Sequence, residues 1–408
     1  MMKKVLTFIM AGGKGERLWP LTKDRTKPAV PFGGIYRIID FALSNAINSG
    51  LHRVYVLTQY KSASLHRHIR LGWNILSSEL GEYIELLPAQ QRVGETWYLG
   101  TADAIYQNLY TLELDKPDEV LILAGDHLYK MNYYAMIDFH RQVEADLTVG
   151  VVEMEKEKAM HLGVVEVDSV GGVRGFQEKP SNSKTIPSQP DKIYASMGIY
   201  IFKTDILDTE LEEDARKHNS THDFGKDIIP QMLKKGLKIA AYNFIDKNKK
   251  EAKYWRDLGT IDAYYEANMD LVQVDPVFNL YDSEWPIRTY QEQFPPVKTV
   301  FAGEEITGRV GLMLDSLVSG GCIISGGRLQ RSILSPNVRI NSYSQVYESI
   351  LMEGVNVGRY AKIKRAIIDK DVDIPAGTVI GYDLEEDKKK FFVSDSGIVI
   401  VAKGTEIK

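Results

Sequence analysis

Short apolar runs alternate with helical patterns along roughly the first 270 residues of the chain. Five of these runs have the compact, aliphatic composition of buried strands, and they span residues 5–10, 53–58, 119–124, 147–152 and 197–202. Between them, apolar residues recur at helical spacing at Ala102, Ile105, Leu109 and Leu112, with Thr101 at the predicted N-cap. Strands that alternate with helices predict an open, parallel or mixed α/β sheet with helices on both faces, whose ligands bind at the carboxyl ends of the strands.

The pattern breaks over residues 273–297, an aromatic-rich stretch that four prolines interrupt. We expect a linker that packs on its neighbours, because this stretch is too apolar for a free tether. Its aromatic residues include Tyr281, Trp285, Tyr290 and Phe294. The predicted domains are therefore residues 1–272 and residues 298–408, on either side of this linker.

The last domain carries the clearest repeat of the chain. Aliphatic residues recur there at intervals of six, six and five, at Leu317, Ile323, Leu329, Leu334, Ile340, Val346, Leu351, Val357, Ile363, Ile368, Ile374 and Ile380. A six-residue repeat with one inward aliphatic side chain per side is typical of a parallel β-helix, whose coils have about three such sides. The repeat therefore predicts about four coils of about 17 residues each.

Charge is nearly balanced, with 50 Lys and Arg against 55 Asp and Glu and a net charge of -5. Bulk charge does not favour binding to nucleic acid or to a membrane surface, so we expect neither as a partner. The chain has no run of about 18 apolar residues, and the run over residues 5–11 is too short for a signal peptide. Cys322 is the single cysteine, which excludes an internal disulfide and predicts a reducing, cytoplasmic location.

A glycine-rich loop follows the first predicted strand, Ala11-Gly12-Gly13-Lys14-Gly15-Glu16-Arg17-Leu18. Glycines let backbone N–H groups approach phosphates, and basic side chains supply the countercharge. Residues 12–28 hold five basic side chains against two acidic ones. The loop lacks the Gly-Lys-Ser/Thr ending of a Walker A motif, and Leu18 replaces the last glycine of the dinucleotide fingerprint. It predicts a local anion site, and the alternative is a plain strand-to-helix turn.

The loop resembles the signature of the sugar-phosphate nucleotidyltransferases, and further segments narrow the resemblance to the bacterial glucose-1-phosphate adenylyltransferase family. The segments are Lys27-Pro28-Ala29-Val30, Arg37-Ile38-Ile39-Asp40-Phe41, Trp97-Tyr98, Gly100-Thr101-Ala102-Asp103-Ala104, Ala124-Gly125-Asp126-His127, Glu178-Lys179-Pro180, Ser196-Met197-Gly198-Ile199-Tyr200, His222-Asp223-Phe224-Gly225-Lys226-Asp227 and Tyr254-Trp255-Arg256-Asp257-Leu258-Gly259-Thr260. The resemblance implies that ATP and α-D-glucose 1-phosphate are converted to ADP-glucose and pyrophosphate, for glycogen or α-glucan synthesis. It also implies an open mixed sheet followed by a left-handed β-helix that serves assembly and regulation in a homotetramer.

Two carboxylates are candidates for the chemistry. From the residues alone, Asp126 after a strand and Asp257 in a turn are either ordinary turn formers or ligands of one Mg²⁺ that also holds substrate phosphates. The resemblance implies the second role, with Mg²⁺ as cofactor and Asp126 also catalytic. It implies further that Arg17 stabilises the transferring phosphates and that Lys27 assists. We expect His127 to be structural, because a phosphate oxygen needs no general base.

The Glu178-Lys179 pair before Pro180 is most simply an exposed ion pair. The resemblance implies instead that Lys179 binds the phosphate of the sugar phosphate and that Glu178 accepts hydrogen bonds from sugar hydroxyls. The other implied substrate contacts are Tyr98, Gly163 and Ser196. The implied nucleotide-binding residues are Gly12, Gly13, Gly15, Gln90, Gln91 and Gly100.

The resemblance also implies a small-molecule effector site between the domains. The implied regulatory residues are Arg25, Arg37, Gln59, Trp97 and Lys370. Asp24 and Pro31 stand where relatives activated by fructose 1,6-bisphosphate commonly have Lys and His. A carboxylate in that place repels a doubly phosphorylated ligand, so we expect that activation to be absent or the effector to differ.

Three rival functions are considered. Acyltransferases built on hexapeptide repeats commonly need a histidine base, and no histidine of this chain follows His222. A non-catalytic regulatory subunit is expected to lose the loop arginine or a metal carboxylate, and this chain keeps Arg17, Asp126 and Asp257. A nucleotidyltransferase that uses dTTP, UTP or GTP stays open, because base selection depends on contacts that the sequence does not define.

Overall fold

The computed structural model describes residues 4–90, 96–168, 172–246, 251–302 and 309–407. The helices before the linker are α1 (Ile39–Asn48), α2 (Ala63–Gly72), α3 (Thr101–Tyr106), α4 (Tyr110–Asp115), α5 (Tyr133–Gln142), α6 (Thr204–Ala215), α7 (Ile229–Lys234) and α8 (Ile261–Asp270). The strands of the same part are β1 (Val5–Met10), β2 (Pro31–Phe32), β3 (Tyr36–Arg37), β4 (Arg53–Thr58), β5 (Tyr83–Pro88), β6 (Glu119–Ala124), β7 (His127–Tyr129), β8 (Leu147–Glu155), β9 (Gly163–Val167), β10 (Val173–Glu178), β11 (Lys192–Lys203), β12 (Ile239–Asn243), β13 (Ile245–Asp246), β14 (Glu251–Ala252) and β15 (Trp255–Asp257).

Within the described residues, nine of these strands form one mixed sheet. Its order is β10-β9-β11-β6-β1-β4-β5, with β8 paired to β11 and β12 paired to β8. Strands β6, β1, β4 and β5 are parallel, and β11 runs antiparallel to β6. The runs predicted as strands over residues 5–10, 53–58 and 119–124 are β1, β4 and β6, with the same bounds. The other two predicted runs lie inside the longer strands β8 and β11.

Apolar side chains fill both faces of this sheet. In β1, Leu6 and Phe8 belong to the apolar cluster on one face, and Ile9 belongs to the cluster on the other face. Successive side chains of a strand point to opposite faces, so a strand buried on both sides needs an almost continuous apolar run. This requirement explains why the buried strands could be found from the sequence.

The helix predicted through Ala102 to Leu112 is two helices, and its N-cap is Gly100 rather than Thr101. The interruption lies at Asn108, whose Nδ2 donates to the Ala104 carbonyl oxygen at 2.8 Å. The Asn108 backbone N–H therefore donates to Ile105, three residues back, at 2.9 Å. A side-chain amide that competes for a helical carbonyl in this way breaks the regular hydrogen-bond ladder.

Residues after the linker form strands on three faces, as in a left-handed β-helix, and all of these strands are parallel to their neighbours except β17 (Arg309–Val310) and β31 (Phe392–Val393). In the described part of the chain, these faces hold six, five and six strands. The strands are β16 (Lys298–Ala302), β17 (Arg309–Val310), β18 (Leu312–Leu314), β19 (Leu317–Val318), β20 (Ile323–Ser325), β21 (Arg328–Gln330), β22 (Ile333–Leu334), β23 (Arg339–Ile340), β24 (Gln345–Tyr347), β25 (Ile350–Leu351), β26 (Asn356–Val357), β27 (Lys362–Lys364), β28 (Ala366–Ile368), β29 (Asp373–Ile374), β30 (Val379–Ile380), β31 (Phe392–Val393) and β32 (Val399–Val401), and helix α9 (Leu384–Lys388) precedes β31.

From its second coil onwards, the β-helix has the predicted register. One column runs through Leu334, Leu351 and Ile368, each paired with the next. Another runs through Leu329, Val346, Ile363 and Ile380. These inward side chains are fully buried and form the core of the domain.

The predicted register of the first coil was wrong by one residue at two positions. Val318 rather than Leu317 pairs with Leu334, and Ile324 rather than Ile323 pairs with Ile340. The turn from Ile324 to Leu329 is one residue shorter than the matching turn of the next coil. Gly326 and Gly327 permit the tighter turn, because Gly326 has φ of +74° and a Cβ at Gly327 would lie 2.6 Å from Ile340 Cγ2.

The stretch over residues 273–297 has no helix or strand and packs mainly through residues other than the predicted aromatics. Phe278 and Ile287 are buried in an apolar cluster that joins the two domains. Trp285 Nε1 donates to Asn45 Oδ1 at 2.8 Å, as expected for a packed segment. Tyr281, however, is 80% exposed and contributes little to packing.

The domain-joining cluster is made of side chains from both domains. It contains Leu18 and Leu258 from the first domain and Ile398 and Ile400 from the second domain. No helix of the described residues is long and apolar enough to cross a membrane.

We predict that Ile363→Ala destabilises the β-helix strongly, whereas Lys362→Ala in the same strand does not. Ile363 is fully buried, and removing most of its side chain leaves a cavity that costs about 2–5 kcal/mol of unfolding free energy. Lys362 points outward and is exposed. Chemical denaturation of both variants measures the difference, and equal effects would contradict the assigned inward column.

Candidate active site

At Gly15, short contacts fix the glycine loop after β1 and leave no room for a side chain. Gly15 has φ of +66°, and a Cβ there would lie 3.1 Å from both Lys27 Cβ and Thr22 Cγ2. Thr22 Oγ1 donates to the Gly15 carbonyl oxygen at 2.9 Å. Both the backbone conformation and the close approach therefore require glycine at this position.

A cleft of about 510 Å³ opens over this loop, at the carboxyl ends of β1 and β6. Gly12, Gly13 and Gly15 line it on one side, and Arg17, Lys27 and Asp126 line it on the other. A Cβ at Gly13 would meet nothing within 4 Å, so this glycine faces open space. The predicted anion loop and three predicted catalytic residues are thus brought together around one cavity.

Lys27 joins the two predicted metal carboxylates. Its Nζ lies 2.8 Å from Asp126 Oδ2 and 3.0 Å from Asp257 Oδ1. Burial alone would lower the pKa of Lys27, but the two carboxylates outweigh it and raise that pKa above its usual value. Burial would raise the pKa of Asp126, but Lys27 and His127 hold it well below its usual range. The Lys27 ammonium therefore lies between the carboxyl groups of Asp126 and Asp257.

Strand pairing explains how Asp257 reaches this place from far along the chain. β15 lies antiparallel to β7, and Asp257 is directly opposite His127, the residue after Asp126. Asp126 itself follows β6, whose end lies beside the end of β1. Three separate segments therefore converge at one edge of the central sheet.

The structure places His127 in the carboxylate cluster as well. Ligand atoms of Asp126, His127 and Asp257 lie within 4.8 Å of one another. His127 Nδ1 donates to the Met197 carbonyl oxygen at 3.0 Å, and His127 Nε2 lies 3.6 Å from Asp126 Oδ1. The structural role predicted for this histidine stays a prediction. Its ring lies beside two carboxylates, whose oxygens are the ligands that Mg²⁺ prefers.

Arg17 lies close to this cluster, with its guanidinium beside Asp257. It belongs to the single 3₁₀ turn Glu16–Leu18, and Leu18 is buried in the domain-joining apolar cluster. A Cβ at Gly259 would lie 3.0 Å from an Arg17 guanidinium nitrogen and 2.7 Å from Asp257 Oδ2. Gly259, which sequence reasoning did not single out, thus keeps space open for both charged groups.

The predicted nucleotide-binding residues do not all lie at the cleft. A Cβ at Gly12 would lie 3.3 Å from Gln59 Cβ, so this glycine allows β1 and β4 to approach closely at their ends. Gly100 packs against the backbone of His222, where a Cβ would lie 2.2 Å from the carbonyl oxygen. Gln90 is exposed and is not among the residues that line the cleft. Gln91 lies outside the described residues.

Three of the predicted sugar-phosphate residues form one group at the ends of β9 and β10. Lys179 Nζ lies 3.3 Å from Glu178 Oε1 and is about half exposed. A Cβ at Gly163 would lie 2.9 Å from Glu178 Oε2, and a Cβ at Gly225 would lie 3.2 Å from the same atom. The carboxylate of Glu178 therefore occupies a slot between two glycines, of which the sequence reasoning found only Gly163.

Ser196 and Tyr98 have internal partners. The Ser196 hydroxyl lies 3.5 Å from Tyr200 OH, and the Gly198 backbone N–H donates to Ser196 Oγ at 3.3 Å. Tyr98 OH accepts a hydrogen bond from Asn108 Nδ2 at 2.9 Å, and burial raises its pKa. The two side chains are held in fixed positions on separate elements.

The three predicted regulatory cations lie together in a cavity of about 550 Å³ between the domains, which Asp24 and Pro31 also line. Arg25 Nη2 contacts both Asp369 oxygens, at 2.7 and 2.9 Å. Lys370 donates to Glu353, and burial lowers the pKa of Lys370. Arg37 donates instead to backbone carbonyl oxygens, the Ala29 one at 3.2 Å, and burial lowers its pKa too.

Gln59 and Trp97 lie elsewhere, beside the glycine loop. Gln59 Nε2 is buried next to Gly12 and has no hydrogen-bond partner among the described residues. Trp97 stacks on Tyr60 with ring centroids 6.3 Å apart, and Lys14 Nζ lies 5.6 Å from the centre of the Tyr60 ring. Tyr60, which was not predicted, therefore bridges the Trp97 segment and the glycine loop.

Comparison with known proteins shows the family of the chain. Residues 6–274 match the nucleotidyl transferase family, and residues 295–401 match the GlmU-like C-terminal hexapeptide family. The glucose-1-phosphate adenylyltransferase of Koribacter versatilis is 58% identical over 404 residues, covering 98% of this chain and 96% of that protein. The enzyme of the same name from Rhodopirellula baltica is 53% identical, covering 100% of this chain and 92% of that protein. The one from Methylococcus capsulatus is 52% identical, covering 98% and 93%. This chain therefore belongs to the nucleotidyl transferases and, among them, to the glucose-1-phosphate adenylyltransferase family.

Proposed function

We propose that the protein transfers the adenylyl group of ATP to α-D-glucose 1-phosphate, giving ADP-glucose and pyrophosphate for the synthesis of glycogen or another α-glucan. The observation that carries the proposal is the buried Lys27 ammonium between Asp126 and Asp257, at the end of a cleft lined by glycines. The names of the relatives supply the substrates.

The reaction is an in-line displacement at phosphorus. A phosphate oxygen of glucose 1-phosphate forms a bond to the α-phosphorus of ATP, and the bond from that phosphorus to the bridging oxygen of pyrophosphate breaks. The attacking oxygen is already ionised, so no general base is needed. The enzyme therefore works by holding two anionic substrates together and by countering their charge.

The side chains around the cleft divide this work. Backbone N–H groups of Gly12, Gly13 and Gly15 bind the nucleotide phosphates, and Arg17 offsets the charge of the transferring and leaving phosphates. Lys27 fixes the spacing of the two carboxylates and lies close enough to share the charge of the substrate. Gly100 is assigned to the wall of the same nucleotide site.

The cofactor proposed is Mg²⁺. Asp126 and Asp257 would hold it, and when bound it neutralises charge on the substrate phosphates and holds them together. The group fits the residues present, because carboxylate oxygens are the ligands that Mg²⁺ prefers and those of Asp126 and Asp257 lie within 4.8 Å of each other.

Binding of the sugar phosphate is assigned to the β9–β10 group. Lys179 contacts the phosphate, and Glu178 accepts hydrogen bonds from sugar hydroxyls, with Gly163 providing space for that carboxylate. Ser196 and Tyr98 are proposed as further contacts. Gln90 and Gln91 stay predicted contacts of the base, with no support from the position of Gln90.

The cavity between the domains is proposed as the site of a small-molecule effector. Arg25, Arg37 and Lys370 would meet its anionic groups, and Gln59 and Trp97 would connect that binding to the glycine loop. Two of these cations already pair with Asp369 and Glu353, which supports the expectation that fructose 1,6-bisphosphate does not activate. A homotetramer, the domain limits 1–272 and 298–408, and a cytoplasmic location stay predictions.

The proposal is tested with glucose 1-phosphate, Mg²⁺ and each of ATP, dTTP, UTP and GTP, with pyrophosphate release and the sugar nucleotide measured. We expect release with ATP and formation of ADP-glucose, and no stimulation by added fructose 1,6-bisphosphate. Release with another nucleotide alone would contradict the base assignment while keeping the mechanism. No release with any nucleotide would favour a regulatory subunit.

Asp126→Asn should lower the turnover number by at least about a hundredfold, because a neutral amide neither binds Mg²⁺ well nor balances Lys27. Asp138→Asn is the matched control, since Asp138 is an exposed helical carboxylate that does not line the cleft. Steady-state kinetics and circular dichroism compare the two variants. Near-normal turnover in a folded Asp126→Asn protein would remove Asp126 from the mechanism.

Lys179→Gln should raise the apparent KM for glucose 1-phosphate roughly tenfold, because a charge-assisted hydrogen bond to phosphate is lost. Lys184→Gln is its control, since Lys184 is an exposed lysine five residues further along that pairs with Glu166. Initial rates at varied concentrations of each substrate separate the two constants. A change confined to ATP would reassign Lys179 to the nucleotide.

A further inference from the structure

The chain ends in a short hairpin, the C-terminal hairpin, which covers residues 392–401. β31 pairs antiparallel with β32, and the turn between them is closed by the Ser394 N–H, which donates to the Ile398 carbonyl oxygen at 2.9 Å. β32 also continues a face of the β-helix, because it pairs with β28. The hairpin is therefore anchored in the β-helix on one side.

On its other side, the C-terminal hairpin contacts the segment that carries Arg17. Phe392 packs edge-on against Trp19, with ring centroids 5.6 Å apart and planes at 83°. Trp19 closes the 3₁₀ turn that contains Arg17, since its backbone N–H donates to the Glu16 carbonyl oxygen at 3.0 Å. A ring held in this way restrains the turn and the direction of the arginine.

The same hairpin contacts the segment that carries Asp257. Ser394 Oγ donates to Asp262 Oδ1 at 2.7 Å, and Ser396 Oγ donates to the same oxygen. Asp262 lies in the first turn of α8, which begins shortly after Asp257. Both cleft-forming segments are thus in contact with one turn of the other domain.

Further contacts anchor this turn from both domains. Arg365 of the β-helix donates to the Ser396 carbonyl oxygen at 3.2 Å, and its guanidinium lies 5.8 Å from the ring centre of Tyr265 in α8. Beneath the surface, Leu18 and Leu258 pack in one apolar cluster with residues of β32. The hairpin is therefore an integral part of the domain interface next to the cleft.

We infer that the C-terminal hairpin positions the active site, with Phe392 acting through Trp19 on Arg17, and with Ser394 and Ser396 acting through Asp262 on the Asp257 segment. The inference rests on the proposed function for the reaction that it assists. Phe392, Ser394 and Ser396 do not line the cleft, so they are positioning residues rather than catalytic residues. A misplacement of about 1 Å at a reacting group can cost up to a hundredfold in rate.

Trp19 and Phe392 lie at the surface, so an effect of Phe392 on the active site can be distinguished from an effect on the stability of the fold. Trp19 is 52% exposed and Phe392 is 37% exposed. Truncating Phe392 therefore opens no buried cavity, and the fold should keep its unfolding temperature. We expect the substitution to lower catalytic activity instead.

The test compares Phe392→Ala, Phe392→Tyr and Tyr382→Ala in the full chain. We expect Phe392→Ala to lower kcat roughly tenfold and to raise KM for ATP, with KM for glucose 1-phosphate within about twofold and an unchanged unfolding midpoint. Phe392→Tyr keeps the ring and should restore normal values. Tyr382→Ala removes another exposed aromatic side chain of the same domain and should have no effect.

Wild-type kinetics in Phe392→Ala would overturn the inference while leaving the proposed function intact. The same holds if kcat falls only in proportion to a lowered unfolding midpoint, or if Tyr382→Ala shows an equal loss. If the wild-type chain forms no sugar nucleotide, the proposed function fails. Binding of Mg²⁺-ATP to each variant is then measured by calorimetric titration. Weaker binding by Phe392→Ala than by Phe392→Tyr then supports positioning of the Arg17 turn, and equal binding overturns it.

The double variant Ser394→Ala with Ser396→Ala addresses the second contact. It removes both hydroxyl donors to Asp262, so we expect a higher Mg²⁺ concentration for half-maximal rate. Restoring either serine should recover part of the effect. A Mg²⁺ dependence identical to wild type would exclude this contact from the positioning of Asp257.

Discussion

Two carboxylates that repel each other are held together in this protein by one buried ammonium group. Asp126 and Asp257 approach the same point from different strands, and Lys27 lies within hydrogen-bond distance of both. Ions of like charge in a site of low polarity raise each other's pKa unless a cation is present. Burial would raise the pKa of Asp126, but Lys27 supplies such a cation and helps to hold that pKa well below its usual range. Two carboxyl groups beside one ammonium group make the cleft suitable for a metal ion that binds phosphates.

The position of that ammonium depends on the whole architecture. Lys27 belongs to a 3₁₀ turn that follows the glycine loop, and it packs against Gly15 of the loop. Asp257 reaches the site only because β15 pairs with β7, and the residue after it, Leu258, is buried at the interface with the β-helix. The second domain is therefore part of what holds the first domain's chemistry in place.

Local pattern was enough to predict much of the fold. Continuous apolar runs identified β1, β4 and β6, because these strands are buried on both faces, and the six-residue period identified the β-helix columns. The failures have local causes that act against the pattern. Two adjacent glycines, Gly326 and Gly327, shorten one turn and shift the first coil, and the Asn108 side chain takes the carbonyl of Ala104 and divides a helix.

Local sequence pattern could not predict that the site residues converge in space. β7 and β15 have three residues each and are far apart in the chain, so no period or spacing links Asp126 to Asp257, and only the resemblance to a family suggested that they meet. Gly225, Gly259 and Tyr60 were missed for a related reason. Each of them matters because of a residue that is distant in the chain but close in space. For Gly225, this neighbour is the Glu178 carboxylate.

The cavity between the domains is connected to the active site by a very short stretch of chain. Arg25 pairs with Asp369 of the β-helix, and Lys27, two residues later, pairs with the two carboxylates of the cleft. Two residues of extended chain span about 7 Å at most, and the Thr26 hydroxyl between them donates to the Ala11 carbonyl oxygen at 3.2 Å. Displacing Asp369 from Arg25 would therefore disturb the chain two residues from Lys27. The cavity and the cleft are joined by one short segment that has an end in each.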